Sequence, residues 1–183
     1  MIENIDRQIF IFLNSQNSPF WDDFMYAMSM KLVWVPLYLA ILIYLIFKYK
    51  RKFLILLPFM ILAVALSDQL SVLIKNSVER LRPCHDACLE GLVHIVRCHC
   101  GGLYGFVSSH ASNSFNVAVL SLLLIEKRWY AITILIWASL VSYSRIYIGV
   151  HYPGDILAGA VLGGIIGWIT YKGFSMTQKR FEA

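Results

Sequence analysis

Charged side chains are scarce in this sequence, at 15% of 183 residues against 58% hydrophobic. That balance excludes an ordinary water-soluble domain, in which about a quarter of the residues carry charge. Missing too is any long basic tract interleaved with aromatic residues. The net charge of +5 is spread in small clusters, so no nucleic acid partner is expected. There is no internal repeat, no low-complexity segment and no linker long enough to separate domains, which predicts a single membrane-embedded domain over residues 1–183. The N-terminus lacks the basic region of a cleavable secretory signal: Glu3 and Asp6 stand there, and Ile9 to Leu13 is a very short apolar core. No feature points to an obligate protein partner.

What is abundant is long apolar sequence. A bilayer core about 30 Å thick takes about 20 apolar residues in a helix. Suitable runs occur at about Phe24 to Phe47, Phe53 to Ile74, Val107 to Ile125, Trp129 to Tyr147 and Ile156 to Tyr171. The expected fold is therefore all-α, a polytopic membrane helix bundle of about five transmembrane helices. Basic residues follow the first, third and fifth runs (Lys48, Lys50, Arg51 and Lys52; Lys127 and Arg128; Lys172, Lys179 and Arg180), which assigns those connections to the cytoplasm. The connections at about Asn76 to Phe106 and Ile148 to Asp155 then face outward. Trp21, Trp129, Trp168 and Tyr171 fall near span ends, where aromatic rings settle at headgroup level. Ahead of the first run, Ile2, Ile5, Ile9, Phe12 and Leu13 share one helical face. This suits an N-terminal interfacial amphipathic helix, or one packed on the bundle. In the last run Gly159, Gly163 and Gly167 recur every four residues, a stripe that allows close approach of a neighbouring helix.

All four cysteines, Cys84, Cys88, Cys98 and Cys100, fall in the first outward loop with His85, His94 and His99. Such a tract can bind zinc, but an outward loop lies in an oxidising compartment and disulfides are the favoured reading. Of three connectivities, a nested one joining Cys84 with Cys100 and Cys88 with Cys98 would close a compact hairpin.

Three outward blocks carry candidate chemistry. Lys75 to Pro83 reads KNSVERLRP, with Lys75 and Arg82 expected two helical turns apart on one face before Pro83 ends the helix. Alone, such basic residues would only snorkel to lipid headgroups. Val107-Ser108-Ser109-His110 opens the third run, where Ser108 or Ser109 can cap the helix. Its free N–H groups and dipole also favour a phosphate oxygen. Ser144 to Asp155 reads SRIYIGVHYPGD: Arg145 at a span end, His151 in a short loop, Pro153 placed to start the next helix, and Asp155 in its first turn. Asp155 could accept the Nδ1 proton of His151 and leave Nε2 nucleophilic. Together the blocks offer three cations, an oxyanion cradle and an oriented imidazole, the parts that phosphoryl transfer requires.

These residues resemble the type 2 phosphatidic acid phosphatase family, whose signature has the form K-x6-RP, PSGH and SR-x5-H-x3-D. Lys75 to Pro83 and Ser144 to Asp155 match their elements completely. In the middle element Val107 stands for the usual Pro and Ser109 for the usual Gly, while Ser108 and His110 are retained. The resemblance implies a membrane lipid phosphatase acting through a phosphohistidine on His151, with Asp155 holding its tautomer. His110 would protonate the leaving lipid oxygen and then activate water, while Lys75, Arg82, Arg145 and Ser108, with Ser109 beside it, bind the phosphate. No cofactor is implied and no metal is needed, because three cationic side chains replace it. The partner is a phosphorylated membrane lipid: undecaprenyl diphosphate, phosphatidylglycerol phosphate, phosphatidic acid or a lipid A phosphate. The protein is expected in a bacterial inner membrane with its site on the periplasmic side. Phosphotransfer to another acceptor, or lipid binding without cleavage, are the alternatives. Asp68, an ionisable group inside the second run, either supports a basic residue of the site or makes a polar contact between helices.

Overall fold

A computed structural model describes residues 2–98 and 100–182, with the side chains of 2, 98, 181 and 182 excepted. Its helices are α1 (Ile2–Asn14), α2 (Pro19–Ser29), α3 (Val35–Tyr49), α4 (Phe53–Val78), α5 (Ser109–Ile125), α6 (Arg128–Tyr147) and α7 (Pro153–Glu182). There is no strand among the described residues, apart from a single bridge between Leu81 and Tyr104. The protein is an all-α membrane bundle built from α3 to α7.

By length and apolarity alone, the segment Lys31–Val78 and the helix Pro153–Arg180 are each able to cross a membrane, and α5 is a shorter apolar helix. Ile43, Phe47, Leu54, Ile61, Ile136, Leu157 and Val161 point outward and are exposed, a surface that suits lipid and would aggregate in water. The expected first run, Phe24 to Phe47, is divided. Met30 takes an extended conformation, a short 3-10 turn follows over Lys31–Trp34, and Pro36 sits in the first turn of α3. Apolar composition could not reveal this break, because proline in a first turn starts a helix without leaving an apolar gap.

α5 is the central helix and packs on α4, α6 and α7. The glycine stripe makes the α5–α7 contact close. A Cβ at Gly159 would lie 2.5 Å from the Ser108 carbonyl oxygen and one at Gly167 2.8 Å from that of Asn116, while one at Gly163 would overlap the Ser112 carbonyl. Across the other face, Ser67 and Ser112 hydroxyls meet at 2.7 Å and Asn116 Nδ2 donates to Ala63 O at 2.9 Å. Small and hydroxylated residues here replace the large apolar contacts of a soluble core. At the end away from the candidate site, Lys48 Nζ donates to Leu124 O (2.6 Å) and Ile125 O (3.2 Å), satisfying the free carbonyls that end α5.

α1 lies over the opposite end. Phe10 is fully buried, edge-on to Tyr152 at 5.4 Å, and Asn14 Nδ2 donates to Ile146 O and Tyr147 O. Ile5, Ile9 and Phe12 remain exposed, as do Phe20, Trp21 and Phe24 of α2. The N-terminal helix is therefore packed on the bundle through one face and leaves apolar side chains exposed on another.

Candidate active site

The three blocks meet at one end of the bundle, but not by the route their spacing suggests. α4 stops at Val78, and Glu79 caps it in the left-handed conformation (φ 52°) with its N–H on Lys75 O. Arg80 to Arg82 then run extended: Arg82 N donates to Leu103 O, and Gly105 N to Arg80 O. Lys75 and Arg82 thus do not share a helical face. Arg82 reaches the site from a turn-like ladder, its Nε on Tyr104 O (3.1 Å) and its Nη1 on Val150 O (3.3 Å).

Cys84 and Cys100 form a disulfide beside this ladder, the outer pair of the nested arrangement. The inner pair is not formed: Cys88 is an exposed free thiol on a short 3-10 turn whose N–H is held by Asp86 Oδ1 at 3.1 Å, and the Cys98 side chain lies outside the described residues. His85 adjoins the two bonded sulfurs, so the zinc reading loses two of its thiolate ligands to the disulfide.

His151 is almost fully buried in the loop between α6 and α7. Its Nδ1 lies 3.3 Å from Asp155 Oδ2, and Nε2 lies 3.3 Å from Arg82 Nη1. A guanidinium can only donate, so Nε2 carries the lone pair and Nδ1 the proton. Nε2 is therefore unprotonated, though covered by Arg82 rather than bare. Burial first, then the charges of Arg82, Arg145 and Lys75, hold the His151 imidazole well below its usual value and keep it neutral. Burial likewise lowers Arg82 from its ordinary range, with Asp155 opposing.

Asp155 is fully buried in the first turn of α7. Its Oδ2 also accepts from Tyr152 N (3.0 Å), and its Oδ1 accepts from Arg80 Nη1 (2.9 Å). Arg80 extends the chain to α1, donating from Nη2 to Asp6 Oδ2 at 2.7 Å, while Asp6 Oδ1 receives Gly154 N at 2.8 Å. Arg80 stacks over the Tyr152 ring at 4.2 Å, and Tyr152 Oη donates to Asp86 Oδ2 at 2.7 Å. Arg80 and Asp6 were not legible as site residues, since both sit among ordinary charges and their partners are 75 and 74 positions apart from Arg80. Gly105 is equally hidden: a Cβ there would stand 2.8 Å from Asp155 Oδ2.

Ser108 is the N-cap of α5, its Oγ accepting from Ala111 N at 3.5 Å. Lys75 Nζ donates to Ser109 Oγ at 3.1 Å, and Ser71 Oγ lies 2.8 Å from the same oxygen. The side chain that replaces the expected glycine is thus seated between two polar partners. Arg145 donates from Nη1 to Ser29 Oγ, while its Nε is buried without a partner, an unsatisfied donor that suits an anion. His110, His151, Lys75, Arg82, Ser109 and Arg145 all line one cavity of about 1010 Å³, which continues between α3 and α4 along apolar side chains. Asp68 also lines it and receives Asn113 Nδ2 at 3.4 Å, a contact between helices.

A buried imidazole with an oriented tautomer, beside three cations and open to an apolar groove between helices, defines a membrane-embedded lipid phosphatase. The PAP2 superfamily model matches residues 53–179, and the chain belongs to this family. It is 42% identical over 173 residues to the lipid A 4'-phosphatase of Bacteroides thetaiotaomicron, covering 93% of this chain and 77% of that protein. Identity is 35% over 182 residues to the lipid A 4'-phosphatase of Porphyromonas gingivalis (98% and 77%). Among solved structures, Aquifex aeolicus LpxE matches with a TM-score of 0.70 at 28% identity, over 90% of this chain and 93% of that one. The PAP2-type phosphatidylglycerolphosphate phosphatase of Bacillus subtilis matches with a TM-score of 0.75 at 25% identity, over 98% and 89%.

Proposed function

We propose that the protein hydrolyses a phosphomonoester on a saccharide lipid of the lipid A type, at the periplasmic face of a bacterial inner membrane. His151 Nε2 attacks phosphorus and the bond from phosphorus to the lipid oxygen breaks, with His110, protonated as an imidazolium when the phosphate anion fills the site, giving its extra proton to that oxygen. The phosphohistidine is then resolved by a water whose proton returns to His110, releasing inorganic phosphate and freeing Nε2. Asp155 keeps the His151 proton on Nδ1 throughout. Lys75, Arg82 and Arg145 neutralise the equatorial oxygens, and the N-terminus of α5 at Ser109 and His110 adds N–H donors, the Ser108 N–H being taken by Asp155 O at 3.0 Å. Three guanidinium or ammonium groups do here what a metal ion does in other phosphatases.

The observation that carries this reading is the 3.3 Å pairing of His151 Nδ1 with the buried Asp155, with His151 lining the same cavity as His110. The lipid A assignment is supported by the two relatives of that name, each covered over 77% of its length. The periplasmic side is supported by Lys48, Lys50, Arg51, Lys127 and Arg128, which cluster at helix ends away from the site. The test is phosphate release by purified protein from a panel of lipid phosphates. His151→Ala should abolish release while retaining lipid binding, and an acid-labile phosphoenzyme should form in wild type and not in the variant. Release that survives His151→Ala would refute the mechanism.

A further inference from the structure

The cavity wall has two polar levels. The upper one is the phosphate level, where Lys75 of α4 meets Ser109 of α5. The lower one is formed by Asp68, seven residues back along α4, and Asn113, four residues on along α5. At the rise of an α-helix these offsets put it about 6 to 10 Å deeper toward the bilayer. Beyond it the groove is lined mainly by apolar side chains, such as Leu39, Leu42, Leu57, Ile61 and Val64.

This lower level is poorly satisfied from within the protein. The bond from Asn113 Nδ2 to Asp68 Oδ1 is long, at 3.4 Å, and Asn113 Oδ1 is buried with no hydrogen-bond partner. A carboxylate in a lipid-facing groove of a membrane helix is expensive, as is an orphaned amide oxygen. An acceptor is left over on this level, the amide oxygen of Asn113, beside an Asp68 carboxylate that has one long bond and the attraction of Lys75 above it. A complementary ligand must bring donors, as hydroxyl O–H or amide N–H. A polyprenyl chain has neither, and the ester groups of a diacylglycerol only accept. The hydroxyls and N-acyl amide of an amino sugar lie within a ring's width of a phosphate on that ring, which matches the separation of the two levels.

We propose that Asp68 and Asn113 form a headgroup subsite that binds hydroxyl or amide donors of a saccharide leaving group, next to the phosphate being removed. The subsite rests on the phosphatase reading and makes it selective. A site built to hydrogen-bond a substrate group discriminates strongly against a lipid lacking it, because the buried acceptors are then left unpaired.

The test uses the full-length protein in detergent with a phosphorylated N-acyl glucosamine lipid and a polyprenyl phosphate. Asp68→Asn and Asn113→Leu should each lower the ratio of kcat/KM for the sugar lipid over the prenyl lipid by tenfold or more. A ratio within twofold of wild type, with both substrates affected equally, would show a structural contact and overturn the subsite. Binding of the dephosphorylated sugar lipid, measured separately by tryptophan fluorescence, should weaken by a similar factor in both variants. Unchanged affinity also overturns the subsite, whether or not the protein turns over. Weakened affinity without phosphate release from either lipid by wild type would uphold the subsite and sink the phosphatase reading instead.

Discussion

Replacing Gly105 by alanine adds one methyl group at the most crowded point of the site. An ideal Cβ there would stand 2.8 Å from Asp155 Oδ2, 3.4 Å from Arg82 Cγ and 3.5 Å from His151 Nδ1. Carbon and oxygen make ordinary contact nearer 3.5 Å, so the carboxylate or the Gly105 backbone must retreat by roughly half an ångström or more. Neither is free to do so. Gly105 N is bonded to Arg80 O at 2.8 Å, and Asp155 is held by Arg80 on one oxygen and by Tyr152 N on the other. The pairing with His151 Nδ1, already 3.3 Å, is the contact that gives way. Misplacing a reacting group by 1 Å costs about 10²-fold, and losing the carboxylate that fixes a catalytic imidazole's tautomer costs about 10⁴-fold. Gly105→Ala should therefore lower kcat by about 10²- to 10⁴-fold with a smaller change in KM, because the cations that bind phosphate stay in place. Gly102→Ala is the control, since nothing lies within 4 Å of a Cβ there. Phosphate release and single-turnover formation of the phosphoenzyme measure the effect, with thermal unfolding in detergent to establish that both variants fold. A folded Gly105→Ala protein with kcat within threefold of wild type would refute the role given to the Asp155–His151 pair.

Arg80→Met removes the partner of a fully buried carboxylate and of Asp6. Breaking one side of such a pair costs about 3 kcal/mol, so the melting temperature in detergent should fall by several degrees and kcat should drop with it; unchanged values of both would show the pair to be ornamental. Gly163→Leu should give no monodisperse folded protein on size exclusion in detergent, because a side chain there overlaps the Ser112 carbonyl, whereas Gly164→Ala should behave as wild type, its nearest neighbour being Val119 Cγ2 at 3.8 Å. His151, held neutral in the fold, leaves the unfolded chain to bind the extra proton below its ordinary pKa. Wild type should then lose stability relative to His151→Gln as pH falls through about 6.5, by up to about 1.4 kcal/mol per pH unit. Equal slopes in denaturant titrations at pH 7, 6 and 5 would contradict this.

Membership of a helical membrane bundle follows from composition and from the alternation of basic connections, both of which act locally and additively and so survive ignorance of the fold. The same holds for the short-range geometry between Arg145 and Asp155. Pro153 starts a helix, Asp155 falls in its first turn, and four residues separate it from His151, so a few backbone angles bring the pair together. The glycine stripe of α7 likewise encodes its own close contact. The division of the first apolar run at Met30 was less visible, because the residues on both sides are equally apolar.

Tertiary structure alone decided the rest, for one reason: each remaining contact depends on where distant backbone lies. Arg82 enters the site because the chain leaves α4 at Glu79 and pairs with Leu103 and Tyr104, not because it shares a helical face with Lys75. Asp6 joins Arg80 and Asp155 across the top of the bundle, and Gly105 is required only because Asp155 stands opposite it. Spacing along the chain specifies which side chains a helix turn can bring together. The meeting of α1, the loop after α4 and the start of α7 is set by packing α5 at the centre, and no residue pattern within one segment carries that distance.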